Sequence, residues 1–440
     1  MTVVQFSTGG SGGRQRASEP ASVLAALDIG TSKICCIIAG LAPPRHTVTP
    51  EANSSDLKVL GVGHQASRGV RGGVIVDIDA AEKAIRLAVA AAERAAGMSI
   101  RAVYVAVSGG RPRCEVYSGS TRIMTSDVGA VDAQRAIAAA AQKIRPAGRV
   151  VLHTSPVQYH LDDAQGVKQP LGMFGDRLSV DLNAITVEPG ALRNLGKAIG
   201  RCHLDVRGYV VAPYAGARAV LVEDEMKLGA TYVEIGGGTT GIASFYDGNL
   251  VFSDVLPVGG HHVTSDIARG LGTTLAHAER LKTLYGSALP SASDEQEYLA
   301  VPQLGERGVD TVHNVPRSHL IGIVRPRVEE ILELARDRLE GSPFGRLAGS
   351  RVVLSGGTSE LPGIAEVAAT IFNRMVRQGA PRPFLAMPDH AKSAAFAVPL
   401  GLLRYALKPD RLIAASSALR GAPDERGYLT RVGRWIKESF

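Results

Sequence analysis

Apolar and polar positions along this chain fall into short runs whose period keeps switching between two and about 3.6. Residues 23–41, VLAALDIGTSKICCIIAGL, form an apolar run cut once by Asp-Ile-Gly-Thr-Ser, which predicts strand, tight turn, strand. Residues 1–22 are Gly/Ser-rich and predict a flexible arm, and Pro43 to Asp56 a polar loop. Leu57 to His64 predicts another strand. Residues 80–98, AAEKAIRLAVAAAERAAGM, carry apolar positions three and four apart, a helical stripe with a Glu82–Arg86 pair on its surface. VYVAVSGG predicts a strand, and DAQRAIAAAAQKI a helix capped by Asp132. VVLHTSPVQYHL and RLSVDLNAITV predict strands, ALRNLGKAIGRC a helix, and DVRGYVVAP a strand.

The second half repeats the first. ATYVEIGGGTTGIASFYDGNLVFSDVLPVGG predicts strand, glycine turn and strand, with a hairpin at Asp247-Gly248. Helices are predicted at SDIARGL, TLAHAERLKTLYG and IGIVRPRVEEILELARDRLE, and RVVLSGGTSELPGIAEVAATIF predicts strand, glycine turn, helix. LDIGTSKICCII and VEIGGGTTGIAS share one plan, an acid at the end of a strand followed by a glycine turn and a second strand. Two similar α/β halves around a cleft follow.

Composition narrows the class. At 440 residues the chain has room for two to four domains. The net charge of +7 is modest for this length and, without an arginine-rich run interleaved with aromatics, does not indicate nucleic acid. Cys35, Cys36, Cys114 and Cys202 form no C-x-x-C pair, so a zinc site is not expected and a reducing compartment fits. Cys35 and Cys36 are expected on opposite faces of one strand. The start lacks a secretory apolar core, and no apolar stretch is long enough to span a bilayer. A cytoplasmic chain is expected.

The candidate chemistry lies in the turns. In Asp28-Ile29-Gly30-Thr31-Ser32-Lys33, glycine lets backbone approach a phosphate, amides and hydroxyls cradle it, and Asp28 can hold Mg²⁺ through water. Alone, such a turn is more often an ordinary hairpin. Glu234-Ile235-Gly236-Gly237-Gly238-Thr239-Thr240-Gly241 contains a literal G-x-G-x-x-G, but the residues that follow are β-rich where a dinucleotide site needs a helix. No G-x-x-x-x-G-K-[ST] is present. A third turn, Ser355-Gly356-Gly357-Thr358, could hold the α-phosphate or sugar face of a nucleotide or simply join strand to helix. Glu279 and Lys282 share one helix face that reaches toward a nucleoside or forms a surface ion pair.

In this order the turns resemble those of the actin, Hsp70 and sugar-kinase ATPase superfamily, and within it the FtsA family of actin-like bacterial cell-division proteins. GVIVDIDAAEKAIRLAV, VYVAVSGG, GVKQPLGMFGDRL and VLPVGGHHVTSDIARGLG carry the closer resemblance, which covers roughly residues 24–407 and the tail. It implies an α/β, actin-like two-lobed ATPase with duplicated ribonuclease-H-like subdomains, an FtsA-type subdomain 1C and a C-terminal amphipathic helix. The implied division is 1A at 23–100 and 186–228, 1C at 101–185, 2A at 229–288 and, with a return to 1A, 346–407, and 2B at 289–345. ATP and Mg²⁺ are implied in the cleft, held by Asp28, Gly30, Thr31, Ser32, Lys33, Gly236, Gly237, Gly238, Thr239, Thr240, Glu279, Lys282, Gly356, Gly357 and Thr358. Asp28 and Glu234 are the implied catalytic carboxylates. Further implications are self-polymerisation, binding of the FtsZ tail in 2B with Arg327 and Glu330 as candidates, and recruitment of other division proteins at the cytoplasmic face of the inner membrane. A solvated helix face explains Arg327 and Glu330 equally well. Two positions depart from the family: Glu234 stands where Asp is usual, and Ala212 where many relatives have a carboxylate before Pro213. ATP binding with slow hydrolysis is the expectation.

The tail GYLTRVGRWIKESF holds the chain's single tryptophan. At about 100° per residue, Leu429, Val432, Ile436 and Phe440 cluster, Trp435 flanks them, and Arg431, Arg434 and Lys437 lie opposite. That pattern fits a helix at the surface of anionic lipid, with residues 408–426 as a flexible linker. A helix docked on protein is the competing reading. Too few residues follow the ATPase core for an Hsp70-type chaperone. A small-molecule phosphotransferase of the sugar-kinase type is the alternative function, and the tail argues against it.

Overall fold

The computed structural model describes residues 23–41, 57–305, 312–345 and 349–407. The arm, the loop at 43–56, the linker and the terminal helix with Leu429, Val432, Arg434, Trp435, Ile436, Lys437 and Phe440 lie outside the described residues.

The first lobe opens with strands β1 (Val23–Ile29), β2 (Lys33–Leu41) and β3 (Leu57–Ala66), a two-residue ladder of β4 (Val70–Arg71) and β5 (Val74–Ile75), helix α1 (Ile78–Ala96) and β6 (Ala102–Val107). Asp77 caps α1 by accepting from the amides of Asp79 and Ala80, and Gly97 ends it at φ 67°. The Ala-rich face of α1 comes close to β3 because Gly61 and Gly63 face it. A Cβ at Gly63 would stand 2.1 Å from the Ala88 carbonyl. Glu82 and Arg86 pair at 2.9 Å as expected. Cys35 and Cys36 are buried in β2.

A separate sheet is inserted next. It contains β7 (Arg113–Arg122), α2 (Ala130–Ala141), β8 (Val150–Leu161), β9 (Ala164–Val167) and β10 (Arg177–Val187), in strand order β7-β10-β8-β9, and buries its own core against α2. Asp132 is not the cap of α2. The helix starts at Ala130, and Asp132 is its third residue, reaching back to accept from the Gly129 amide at 2.9 Å. Glycine cannot supply a side-chain cap, so the carboxylate does so from inside the helix.

The chain returns to the first lobe with α3 (Pro189–Arg201), β11 (Asp205–Val211) and α4 (Ala212–Val220), then crosses over through α5 (Glu223–Leu228). The second lobe has β12 (Ala230–Ile235), β13 (Thr240–Tyr246), β14 (Asn249–Leu256), α6 (Gly260–Gly270), α7 (Leu275–Tyr285), the hairpin β15 (Tyr298–Pro302) and β16 (Val312–Pro316), α8 (Arg317–Glu340), β17 (Arg351–Ser355), α9 (Ile364–Phe372) and β18 (Met375–Gln378). Asp247 and Gly248, both at positive φ, make the expected hairpin turn. Helix α10 (Ala397–Leu407) closes the described chain against α4 and β1.

The two main sheets have one topology. Their orders are β3-β2-β1-β6-β11 and β14-β13-β12-β17-β18. In each, the first strand lies at the centre, pairs antiparallel with the second and parallel with the fourth, and so ends beside a crossover. The turn after each central strand therefore faces the same cleft. Helix α4 touches strands of both sheets, and Gly401 of α10 fits against it where a Cβ would be 1.7 Å from the Ala215 carbonyl.

Candidate functional site

The two equivalent turns close with the same bond. Gly30 donates to the Lys33 carbonyl at 3.0 Å, and Gly236 to the Thr239 carbonyl at 2.9 Å. Each turn follows an acid by two residues, Asp28 in β1 and Glu234 in β12. The turns then interlock. A Cβ at Gly238 would meet Thr31 Oγ1 at 2.5 Å, and one at Gly237 would meet Ser32 Oγ at 1.9 Å. Glycine at both positions is what lets the hydroxyl side chains of the first turn sit against the second. The third turn joins them. Gly356, at φ 84°, packs on the Ile235 carbonyl, and the Thr358 hydroxyl donates to the Gly236 carbonyl at 3.1 Å.

Between these turns lies a cleft of about 460 Å³ lined by Asp28, Gly30, Thr31, Ser32, Lys33, Glu234, Gly236, Gly237, Gly238, Thr239, Glu279, Lys282, Gly356, Gly357 and Thr358. Thr240 is not in the lining; it is buried, and its hydroxyl donates to the Val258 carbonyl. Val263, Thr283, Glu360 and Ala395 also line the cleft without a signal in the sequence, and so does Ser108, which the sequence resemblance assigns to subdomain 1C. Ser108 had a readable signal, since it follows directly on a parallel strand beside the crossover point.

Charge is concentrated at the strand ends. Burial pushes the Asp28 carboxyl up to about 6, partly opposed by Lys33. Burial, and then repulsion from Asp28, push Glu234 up to about 8. Burial lowers Lys33, whose Nζ stands 3.5 Å from the centre of the Phe396 ring. On the far wall, Lys282 Nζ donates to Glu279 Oε2 at 2.7 Å, to Thr264 Oγ1 at 2.9 Å and to the Gly260 carbonyl at 3.2 Å. Burial would raise Glu279, but Lys282 and Thr264 hold it below its ordinary range.

A nucleotide with a divalent cation fits this donor set. The volume lies within the range of small-molecule sites, about 300–1,000 Å³. Two half-buried carboxylates that repel one another are poorly balanced by a single desolvated lysine, and a hydrated cation would balance them. The glycine turns leave space and amides for anionic oxygens.

Arg327 and Glu330 lie apart from the cleft, on α8. Arg327 pairs with Asp266 of α6 and with Glu330, so both candidates are engaged within the chain.

A family model described as Cell division protein FtsA matches residues 231–401, and one described as the SHS2 domain inserted in FTSA matches residues 109–186. Over 424 residues the chain is 43% identical to Cell division protein FtsA of Rhizobium meliloti, covering 96% of each. It is 31% identical to Cell division protein FtsA of Escherichia coli strain K12, covering 94% of this chain and 97% of that one. The chain belongs to the FtsA family of cell-division proteins. The inserted sheet is thus the family's inserted domain, and the phosphotransferase alternative falls away. Solved structures show the same fold at low identity. The PilM-PilN type IV pilus biogenesis complex aligns with TM-score 0.59 and 18% identity, covering 88% of this chain and 99% of that one. MreB5 of Spiroplasma citri bound to ADP aligns with TM-score 0.53 and 14% identity, covering 91% and 99%. Among the described residues no helix is long and apolar enough to cross a membrane.

Proposed function

We propose that this cell-division protein binds ATP with Mg²⁺ in the cleft, polymerises, and tethers FtsZ filaments to the inner membrane, where it helps recruit later division proteins. The observation that carries the reading is the convergence of three glycine turns with Asp28, Glu234, Lys33 and Lys282 on one cleft between duplicated lobes. Gly30 to Lys33, Gly236 to Thr239 and Gly356 to Thr358 would hold the phosphates, Glu279 and Lys282 the nucleoside side, and Asp28 the cation through water. The cation, when bound, supplies charge neutralisation between carboxylates and phosphates. Glu234 is one methylene longer than the family's usual aspartate, and Ala212 at the start of α4 carries no carboxylate, so turnover is slow.

The inserted sheet is proposed as the filament contact. In its favour, Met124, Met173 and Phe174 are exposed on it, Phe174 to 78%. Anionic lipid is bound by residues 427–440 and the FtsZ tail by the region 289–345.

Co-sedimentation with anionic vesicles, with and without Mg²⁺-ATP, tests the whole reading. Wild type is expected in the pellet. Trp435→Glu is expected in the supernatant with ATP binding intact, and Asp28→Ala is expected to lose Mg²⁺-dependent ATP binding. Pelleting of Trp435→Glu like wild type would reject the tail as anchor, and turnover of many ATP per second would reject slow hydrolysis.

A further inference from the structure

The Ser32 hydroxyl belongs to the first turn and lines the cleft, but its partner is in the other lobe. Ser32 Oγ and His261 Nε2 are 3.0 Å apart. His261 is the second residue of α6, and its backbone is fixed on both sides. Its amide donates to the Gly237 carbonyl at 2.7 Å, and its carbonyl accepts from Ser265 Oγ at 2.8 Å. The ring is half-buried. A Cβ at Gly237 would be 1.9 Å from Ser32 Oγ and 3.2 Å from His261 Nε2, so serine, imidazole and glycine backbone meet at one point that exists only because residue 237 has no side chain. Thr31, next to Ser32, is committed within its own lobe, accepting from the Gly73 amide at 3.2 Å.

His261 does not itself line the cleft, and the cleft keeps its volume of about 460 Å³ with this bond in place. A ligand between the turns and the bond across them are therefore compatible. We propose that His261 is a positioning residue: it latches the second lobe to the Ser32 hydroxyl, holding the lobes closed over bound nucleotide and aiming Ser32 at the phosphates. With its proton on Nε2 the imidazole donates to Ser32 Oγ, and the hydroxyl hydrogen is left to donate into the cleft, toward an oxyanion. Burial keeps the ring below its ordinary pKa, consistent with a neutral donor. The inference rests on the nucleotide reading for its ligand, but the latch itself is a property of the free protein.

The test uses the full chain in two measurements. In the first, release of a fluorescent ATP analogue is timed by stopped flow for wild type, His261→Ala, His261→Gln, Ser32→Ala and the double variant Ser32→Ala/His261→Ala. One cross-lobe hydrogen bond corresponds to about two- to tenfold faster release for His261→Ala. His261→Gln, whose amide can donate from a similar reach, is expected to restore most of the wild-type rate. The double variant is expected to release no faster than Ser32→Ala. In the second, amide exchange is followed at residues 30–33 and 236–239 of the nucleotide-free protein. It is expected to rise in His261→Ala and return toward wild type in His261→Gln. Unchanged release and unchanged exchange in His261→Ala would overturn the latch, as would additive effects in the double variant. If wild type binds no nucleotide, the nucleotide reading fails, and the exchange experiment alone decides the latch.

Discussion

The two lobes share a topology strand for strand, but their phosphate-type turns are built in opposite ways. The first turn carries side chains: Thr31, Ser32 and Lys33. The second carries none over Gly236, Gly237 and Gly238. The contacts explain why. Thr31 and Ser32 occupy the space in which Cβ atoms at 238 and 237 would stand. A duplicated unit that faces itself across a cleft cannot keep identical side chains on both sides, because they would collide. One copy keeps the hydroxyls and ammonium group; the other supplies backbone and room. The acids differ in the same spirit, Asp28 being pushed up to about 6 and the longer Glu234 to about 8, mainly by burial in both cases.

Adding a side chain to the empty turn breaks this division of labour most severely. Gly237→Ala is expected to lower stability by about 1–3 kcal/mol, the usual range for overpacking, and to abolish nucleotide binding. Thermal melting and nucleotide titration check it. Ser32→Gly in the same chain should recover the stability but not the binding, which separates steric fit from chemistry.

A second effect, read as a slope against pH, lies where the inserted sheet meets the first lobe. His153, on β8 of the inserted sheet, is buried, and its Nε2 accepts from the Val211 amide at 3.0 Å at the edge of the first lobe. Burial lowers it from 6.5 to about 3. Its folded pKa is below its unfolded one, so the unfolded chain gains the proton first. Stability from this group is full above pH 6.5 and falls as pH drops toward 3, by about 1.4 kcal/mol per unit at most. His153→Gln, which keeps an acceptor and cannot titrate, should flatten that slope in denaturant melts taken between pH 4 and 7. On the crossover helix α5, Glu225 behaves differently. Burial would raise it, but hydrogen bonds from Arg377, the Val222 amide and Arg351 hold it below its ordinary 4.5, so its contribution is lost only under stronger acid. An unchanged slope in His153→Gln would assign the mild-acid response elsewhere.

The least effect is expected on the outer face of the first lobe. Glu82→Ala removes a part-exposed pair with Arg86, worth about 0.3–0.5 kcal/mol at this spacing. A melting shift much larger than that would mean that Arg201, which also approaches Glu82 and Asp79, shares in a network.

Much of this arrangement is legible in the sequence. The glycine turns, the repeated strand–acid–turn plan and the face shared by Glu279 and Lys282 are local patterns, and local geometry is what spacing reports. What the sequence does not show depends on distant contacts. The strand RCEVYSGSTR has few strong apolar positions, and it becomes β7 only because β10 pairs along its length. DVRGYVVAP reads as strand to its end, yet Ala212 and Pro213 open the helix Ala212–Val220 because α10 and both sheets cover it. Thr240 belongs to the glycine motif in sequence, but the alternation of a strand turns its hydroxyl toward Val258. His261 carried no signal at all, since its partner is 229 residues away.

The return of α10 to the first lobe has a consequence for how the protein is made. Residues 397–405 are all buried, and the surface they cover is on α4 and β1, strands and helices synthesised far earlier. One face of the second lobe's sheet fills its apolar core from residues before Ala397, while Tyr232, Phe245 and Val353 on the other face join the core of the first lobe. On the ribosome the helix-covered face of the later lobe can therefore pack while the earlier lobe still waits with one flank of its core uncovered until the last helix emerges. Such long-range closure is slow and leaves an aggregation-prone face in the interim. The first lobe to be translated is the last to be sealed, and chains that stop short of Ala397 leave it open.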